Sequence, residues 1–121
     1  MTIDPRKNAH ITIQKGGPAR KGRITVLDKN NDGASLFVAD EEVVPVGRDP
    51  QKCEIVISYG KISRVHCLIE YDGVDGAYIV TDVSTNGIYI QGNRMPKKIP
   101  VLVPAGTVVE LADRTYRLSL E

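Results

Sequence analysis

The sequence predicts an all-β protein, an antiparallel sandwich or barrel. Short apolar segments rich in Val, Ile and Thr recur from residue 23 onward. Gly, Asn, Asp or Pro separates them at intervals of about 8–12 residues, the spacing of strands in such folds. No segment sustains the 3.6-residue apolar stripe of an amphipathic helix.

From the N-terminus, residues 1–22 are expected to form a flexible tail. The stretch 4–8 is polar, and 15–23 combines Gly16, Gly17 and Pro18 with Lys15, Arg20, Lys21 and Arg23, a composition that disfavours packing. Between them, His10-Ile11-Thr12-Ile13-Gln14 alternates like a short strand. The strand-like run 24–27 leads into Asn30, Asn31, Asp32 and Gly33, which favour a turn. Further strands are expected at 35–39, 42–46, 54–58, 65–71, 77–82, 87–91, 101–103, 107–111 and 115–120. The last two are joined tightly through Ala112-Asp113-Arg114. Pro45, Pro96, Pro100 and Pro104 lack a ladder donor and belong at edges, bulges or strand ends. With one Phe and no Trp, Val, Ile and Leu must build the core.

A chain of 121 residues, 41% hydrophobic and 26% charged, has the size and composition of one globular domain, expected here over 23–121. A net charge of +1 gives no global basic field, which argues against a nucleic-acid partner. No apolar run approaches the roughly 20 residues of a membrane span, and the N-terminus lacks a signal-peptide core. Cys53 and Cys67 read as reduced thiols, which points to the cytoplasm. His10 and His66, the only histidines, are too far apart for a metal cluster, so no metal and no cofactor is expected.

Three short signals carry the chemistry. Arg48 follows Gly47 at the end of a strand; glycine can turn the chain sharply and aim the next side chain. A guanidinium is always charged and its planar fork matches phosphate oxygens, although a surface pair with Asp49 or Glu54 would also account for it. Ser63 lies in a loop bracketed by Lys61 and Arg64, where its hydroxyl can donate to a phosphate oxygen or simply serve a turn. His66 is a base for Ser63 or, more in keeping with its surroundings, a brace for the loop: no Gly-x-Ser-x-Gly turn surrounds Ser63, and no orienting acid accompanies His66. Asn86-Gly87 carries a strong hairpin signal, and an asparagine at such a tip can offer both donor and acceptor to a ligand's backbone.

In this order, Gly47-Arg48, Ser63-Arg64-Val65-His66 and Ser84-Thr85-Asn86-Gly87 resemble the signature of the forkhead-associated (FHA) domain family, which binds phosphothreonine peptides. The resemblance covers roughly 23–121. It implies an FHA/SMAD-like β-sandwich of about eleven strands with ligand-binding loops at one end. Arg48 and Ser63 would bind the phosphate, Arg64 would add a contact to phosphate or peptide backbone, and Thr85 would line the phosphate end. Asn86 would bond the peptide main chain, while Gly47, His66 and Gly87 would support the site. Ile88 stands where the family often has threonine, and Gln91 where asparagine is common.

The expected function is therefore a phosphothreonine-dependent peptide- or protein-binding module, an adaptor downstream of a Ser/Thr kinase. The alternative is a structural FHA-like assembly domain without phosphate recognition. An enzyme is disfavoured, because no paired carboxylate, metal cluster, phosphate-cradling Gly-rich loop before a helix or activated nucleophile stands out. Thr12 lies about ten residues before the core, a reach of up to ~33 Å. A phosphorylated Thr2 or Thr12 could then loop into the site and block it.

Overall fold

Period-two alternation decides which face each strand buries, and it runs through most of the chain. The computed structural model describes residues 10–13 and 22–121. Twelve strands form among them: β1 (Ile11–Ile13), β2 (Gly22–Leu27), β3 (Gly33–Val38), β4 (Val43–Gly47), β5 (Ile55–Ile57), β6 (Cys67–Asp72), β7 (Ala77–Asp82), β8 (Ile88–Ile90), β9 (Asn93–Arg94), β10 (Val101–Pro104), β11 (Val108–Leu111) and β12 (Tyr116–Leu120). They make a sandwich of two six-stranded sheets, ordered β1-β5-β4-β6-β7-β10 and β3-β2-β12-β11-β8-β9. Every strand pair is antiparallel except β4 with β5, which run parallel through Val46↔Ile55 and Gly47↔Val56. No helix of the described residues is long and apolar enough to cross a membrane.

The core lies between the sheets. Val44, Val46, Ile69 and Val80 of the first sheet face Ile24, Val26, Val109, Leu111, Leu118 and Leu120 of the second, all essentially fully buried. In β5 the alternation disappears: Ile55, Val56 and Ile57 are all buried, as a run of β-branched residues between two neighbouring strands would suggest. Aliphatic residues do not complete the core alone. Tyr78 is fully buried as well, and its hydroxyl accepts from the Arg23 amide at 2.9 Å and bonds the Glu121 carbonyl. A buried phenol needs such partners, and here they tie β7 to the start and end of the second sheet.

Residues 10–13, expected within the tail, join the sandwich. Ile11 is buried in the core, β1 pairs with β5, and the His10 carbonyl accepts from Ser58 N at 2.9 Å. Thr12 is thereby held opposite Val56 with its side chain exposed, so bringing it into a site in the same molecule would require β1 to leave the sheet. Thr2 and the segment 14–21 lie outside the described residues.

Two local expectations change. Asn86-Gly87 closes no hairpin, because β7 and β8 belong to different sheets and the dipeptide sits on the crossover between them. The hairpin lies five residues on, where Gln91 (φ 51°) and Gly92 (φ 78°) join β8 to β9 with both residues left-handed, the signature of a type I′ turn. Pro45 is inside an interior strand rather than at an edge. The Val46 carbonyl faces β6, so the missing Pro45 donor faces β5, which pairs with β4 only from Val46 onward.

Candidate functional site

Three connections meet at one end of the sandwich: 48–54 after β4, 58–66 after β5 and 83–87 after β7. The first two are joined by backbone, Arg48 N to Ser63 O at 2.9 Å and Asp49 N to Arg64 O at 3.1 Å. The approach is so close that a Cβ on Gly47 would lie 2.2 Å from the Arg64 carbonyl oxygen. Glycine is therefore required here by space. The Arg48 side chain is exposed, and its Nε donates to the Ile62 carbonyl at 3.0 Å. That single bond aims the guanidinium and leaves its terminal nitrogens without a partner among the described residues. Among the described residues no ion pair joins it to Asp49 or Glu54.

Ser63 is held from both sides. Its amide donates to His66 Nδ1 at 3.1 Å, and its hydroxyl oxygen accepts from the Thr85 amide at 3.0 Å. The hydroxyl proton is then available to an acceptor that enters the opening. His66 is fully buried and its Nε2 donates to the Gly87 carbonyl at 2.9 Å, so the ring is a neutral bridge between two loops. Burial lowers its pKa, which keeps it neutral. It bonds the amide of Ser63 and not the hydroxyl, a geometry for bracing rather than for activating a nucleophile.

The third loop is closed by side chains. Asp82 Oδ1 accepts from the Ser84 amide at 2.8 Å and its hydroxyl at 2.6 Å, and Ser84 Oγ accepts from Gly87 N at 2.7 Å. Asp82 and Ser84 are both buried. Gly87 adopts φ +90°, and a Cβ there would meet Arg94 Nε at 2.8 Å. This relay presents Thr85 and Asn86 to solvent. Asn86 Nδ2 donates to the Lys61 carbonyl at 2.9 Å, which leaves the amide oxygen of this exposed side chain as an acceptor without a partner among the described residues.

The structure thus brings Arg48, Ser63, Thr85 and Asn86 around one opening, with Arg64 exposed beside it and Gly47, His66 and Gly87 beneath. Sequence reasoning passed over several neighbours. Asp113, on the β11–β12 turn, accepts from Tyr59 OH at 2.5 Å and pairs with Lys61 Nζ at 3.5 Å. The Tyr59 bond is the main reason its carboxyl is held down at about 2. Arg94 Nη2 donates to the Thr85 carbonyl at 3.4 Å, and Arg114 lies over the Tyr89 ring at 5.0 Å. These contacts follow from topology, and no local pattern announces them. Cys53 and Cys67 are buried thiols in no disulfide, and burial pushes both up, so neither is a ready nucleophile. No group of three or more His, Cys, Asp or Glu among the described residues could hold a metal.

A family model of the FHA domain matches residues 44–112, which hold all three signals. The chain belongs to the FHA domain family. Among curated proteins, it is 27% identical over 110 residues to the meiosis-specific serine/threonine-protein kinase MEK1 of Saccharomyces cerevisiae. That match takes in 87% of this chain and 20% of the kinase, so the chain spans about a fifth of that relative's length. The crystal structure of the MEK1 FHA domain superposes with a TM-score of 0.71 at 25% identity, over 82% of this chain and 87% of that one. The FHA domain of CT664 from Chlamydia trachomatis gives 0.70 at 31% identity, over 82% and 94%. The MEK1 FHA domain has also been solved with a HOP1 phosphothreonine peptide; it matches at 26% identity with a TM-score of 0.64, over 80% and 93%.

Proposed function

We propose that this FHA domain binds phosphothreonine peptides through Arg48 and Ser63 and acts as an adaptor downstream of a Ser/Thr kinase. The observation that carries the reading is Arg48: its Nε is fixed to Ile62 O, while the terminal nitrogens of this exposed side chain have no partner among the described residues. A structural assembly domain would have no use for such a cation. Ser63 adds a hydroxyl donor already polarised by the Thr85 amide. Asn86 Oδ1 accepts a peptide N–H, and Arg64 and Thr85 flank the phosphate. The working unit is taken as 23–121 together with the strand at 11–13.

The magnitudes fit a transient reader. A phosphothreonine carries about −1.5 to −2 charges near neutral pH, with a second pKa of about 6. Each charge-assisted bond contributes about 1.5–3 kcal/mol. Two or three, less the cost of ordering a peptide, give micromolar affinity, on the order of −8 kcal/mol. A phosphothreonine peptide-library screen supplies the ligand; calorimetry with that peptide and its unphosphorylated twin then tests the reading. Binding of the phosphorylated form alone is expected. Equal binding of both peptides would favour the assembly role.

A further inference from the structure

The outward faces of the two sheets differ in character. On the second sheet they are mostly polar: Thr25 bonds Ser35, Arg117 bonds the Asp28–Asn31 turn, and of the exposed apolar residues Phe37 lies under Arg23 and Val108 stands on β11 beside Ser119. On the first sheet, strand register places Val43, Glu70, Ile79 and Leu102 in one row and Pro45, Leu68 and Thr81 in the next. Val43 is 46% exposed and Leu102 60% exposed. A solvent-facing antiparallel sheet normally alternates to polar residues on this side, whereas here aliphatic residues and a proline outnumber Glu70 and Thr81 in these two rows. At its centre, half-buried Glu70 makes no hydrogen bond or ion pair among the described residues.

We propose that the outer face of β4, β6, β7 and β10 is a second docking surface, for a short apolar segment of a partner protein that presents a Lys or Arg to Glu70. Size and charge select this occupant. Four strands at ~4.8 Å spacing and about five residues of length give a face of roughly 14 by 14 Å. That accommodates one helix or strand and falls far below the ~800 Å² per partner of a stable globular interface. A symmetric dimer centred here would set Glu70 against Glu70, which opposes a second copy. A segment with aliphatic residues around one cation covers the face and neutralises the carboxylate. The site loops lie at the end of the sandwich, so the two ligands would not compete.

Two synthetic probes of roughly 12 residues, about 18 Å as a helix, test this. They share one amphipathic apolar sequence and differ only in a central Lys or Glu. Titrated into the full chain by fluorescence anisotropy, the Lys probe is expected to bind about tenfold tighter than the Glu probe. Glu70→Lys should reverse that preference, and Leu102→Glu should weaken both probes. Phosphothreonine-peptide affinity should be unchanged in both variants, which shows that they fold, and excess phosphopeptide should not displace the probe. Absence of probe binding, equal affinity for the two probes, a preference that survives Glu70→Lys, or displacement by phosphopeptide would overturn the proposal. So would a sedimentation dimer abolished by Leu102→Glu, because the occupant would then be a second copy.

Discussion

The connections after β4 and β5 are joined to each other by backbone, whereas the connection after β7, beyond the Val83 N to His66 O bond of 3.1 Å at its base, is joined to them by side chains. Arg48 N to Ser63 O and Asp49 N to Arg64 O need no particular side chain, only room, which Gly47 supplies. The loop carrying Thr85 and Asn86 rests on Asp82, Ser84, His66 and the Ser63 hydroxyl. The proposed phosphate anchor thus sits on a platform tolerant of most substitutions, while the loop proposed to hold the peptide depends on a buried polar relay. Mutations should therefore separate the residues that hold the loops from those that meet the ligand.

The largest effect on binding is expected at Arg48. Arg48→Ala removes about two charge-assisted bonds, and calorimetry should find at least a 100-fold loss of phosphopeptide affinity. Its melting temperature should hardly move, since the exposed side chain makes one scaffold bond. Gly47→Ala reverses that pattern. Its Cβ collides with backbone, so denaturant unfolding should show a loss of about 3 kcal/mol or more, and binding should fall with the fold.

His66→Ala breaks the bridge between the platform and the third loop. A loss of about 2–4 kcal/mol is expected, from the cavity and from the Ser63 amide left without its acceptor, while the Gly87 carbonyl keeps the Ala112 amide at 2.9 Å. Ser84→Ala should cost about 1–2 kcal/mol and weaken peptide binding only severalfold, because the anchor on the other loops stays in place. If Ser84→Ala instead matched Arg48→Ala in binding, the division between holder and anchor would collapse.

The smallest effect concerns pH. His66 is neutral in the fold and its pKa is lowered by burial, so the unfolded chain takes up this proton more readily. The stability from this group is fully present above the unfolded value of about 6.5 and is lost as pH falls through the lower folded pKa. Thermal melts without ligand between pH 7.5 and 5 should show the decline, and His66→Gln should flatten it.

Much of this was legible in the sequence because it is local. Alternation in 24–27, 67–72 and 116–120 marks core-facing strands, and Ser63 lies three residues from the His66 ring that receives its amide. What was not legible depends on chain segments meeting from far apart. Asn86-Gly87 has hairpin chemistry, yet the flanking strands go to opposite sheets, and sheet assignment is a tertiary outcome. Asp113 reaches Tyr59 across 54 residues, and Arg94 reaches Thr85 only because β9 folds back along β8. Tyr78, inconspicuous in its strand, becomes a core residue because Arg23 and Glu121 meet its hydroxyl.

The phosphate-site assignment is tested most directly by an ¹⁵N NMR titration with a phosphothreonine peptide, observing backbone amides and the arginine Nε–H together. The expected result is that the largest shifts fall on Arg48 Nε–H and on the amides of Ser63, Arg64, Thr85 and Asn86, with residues on the outer face of β10 unmoved. Shifts concentrated elsewhere, with Arg48 Nε–H unchanged at saturation, would contradict it.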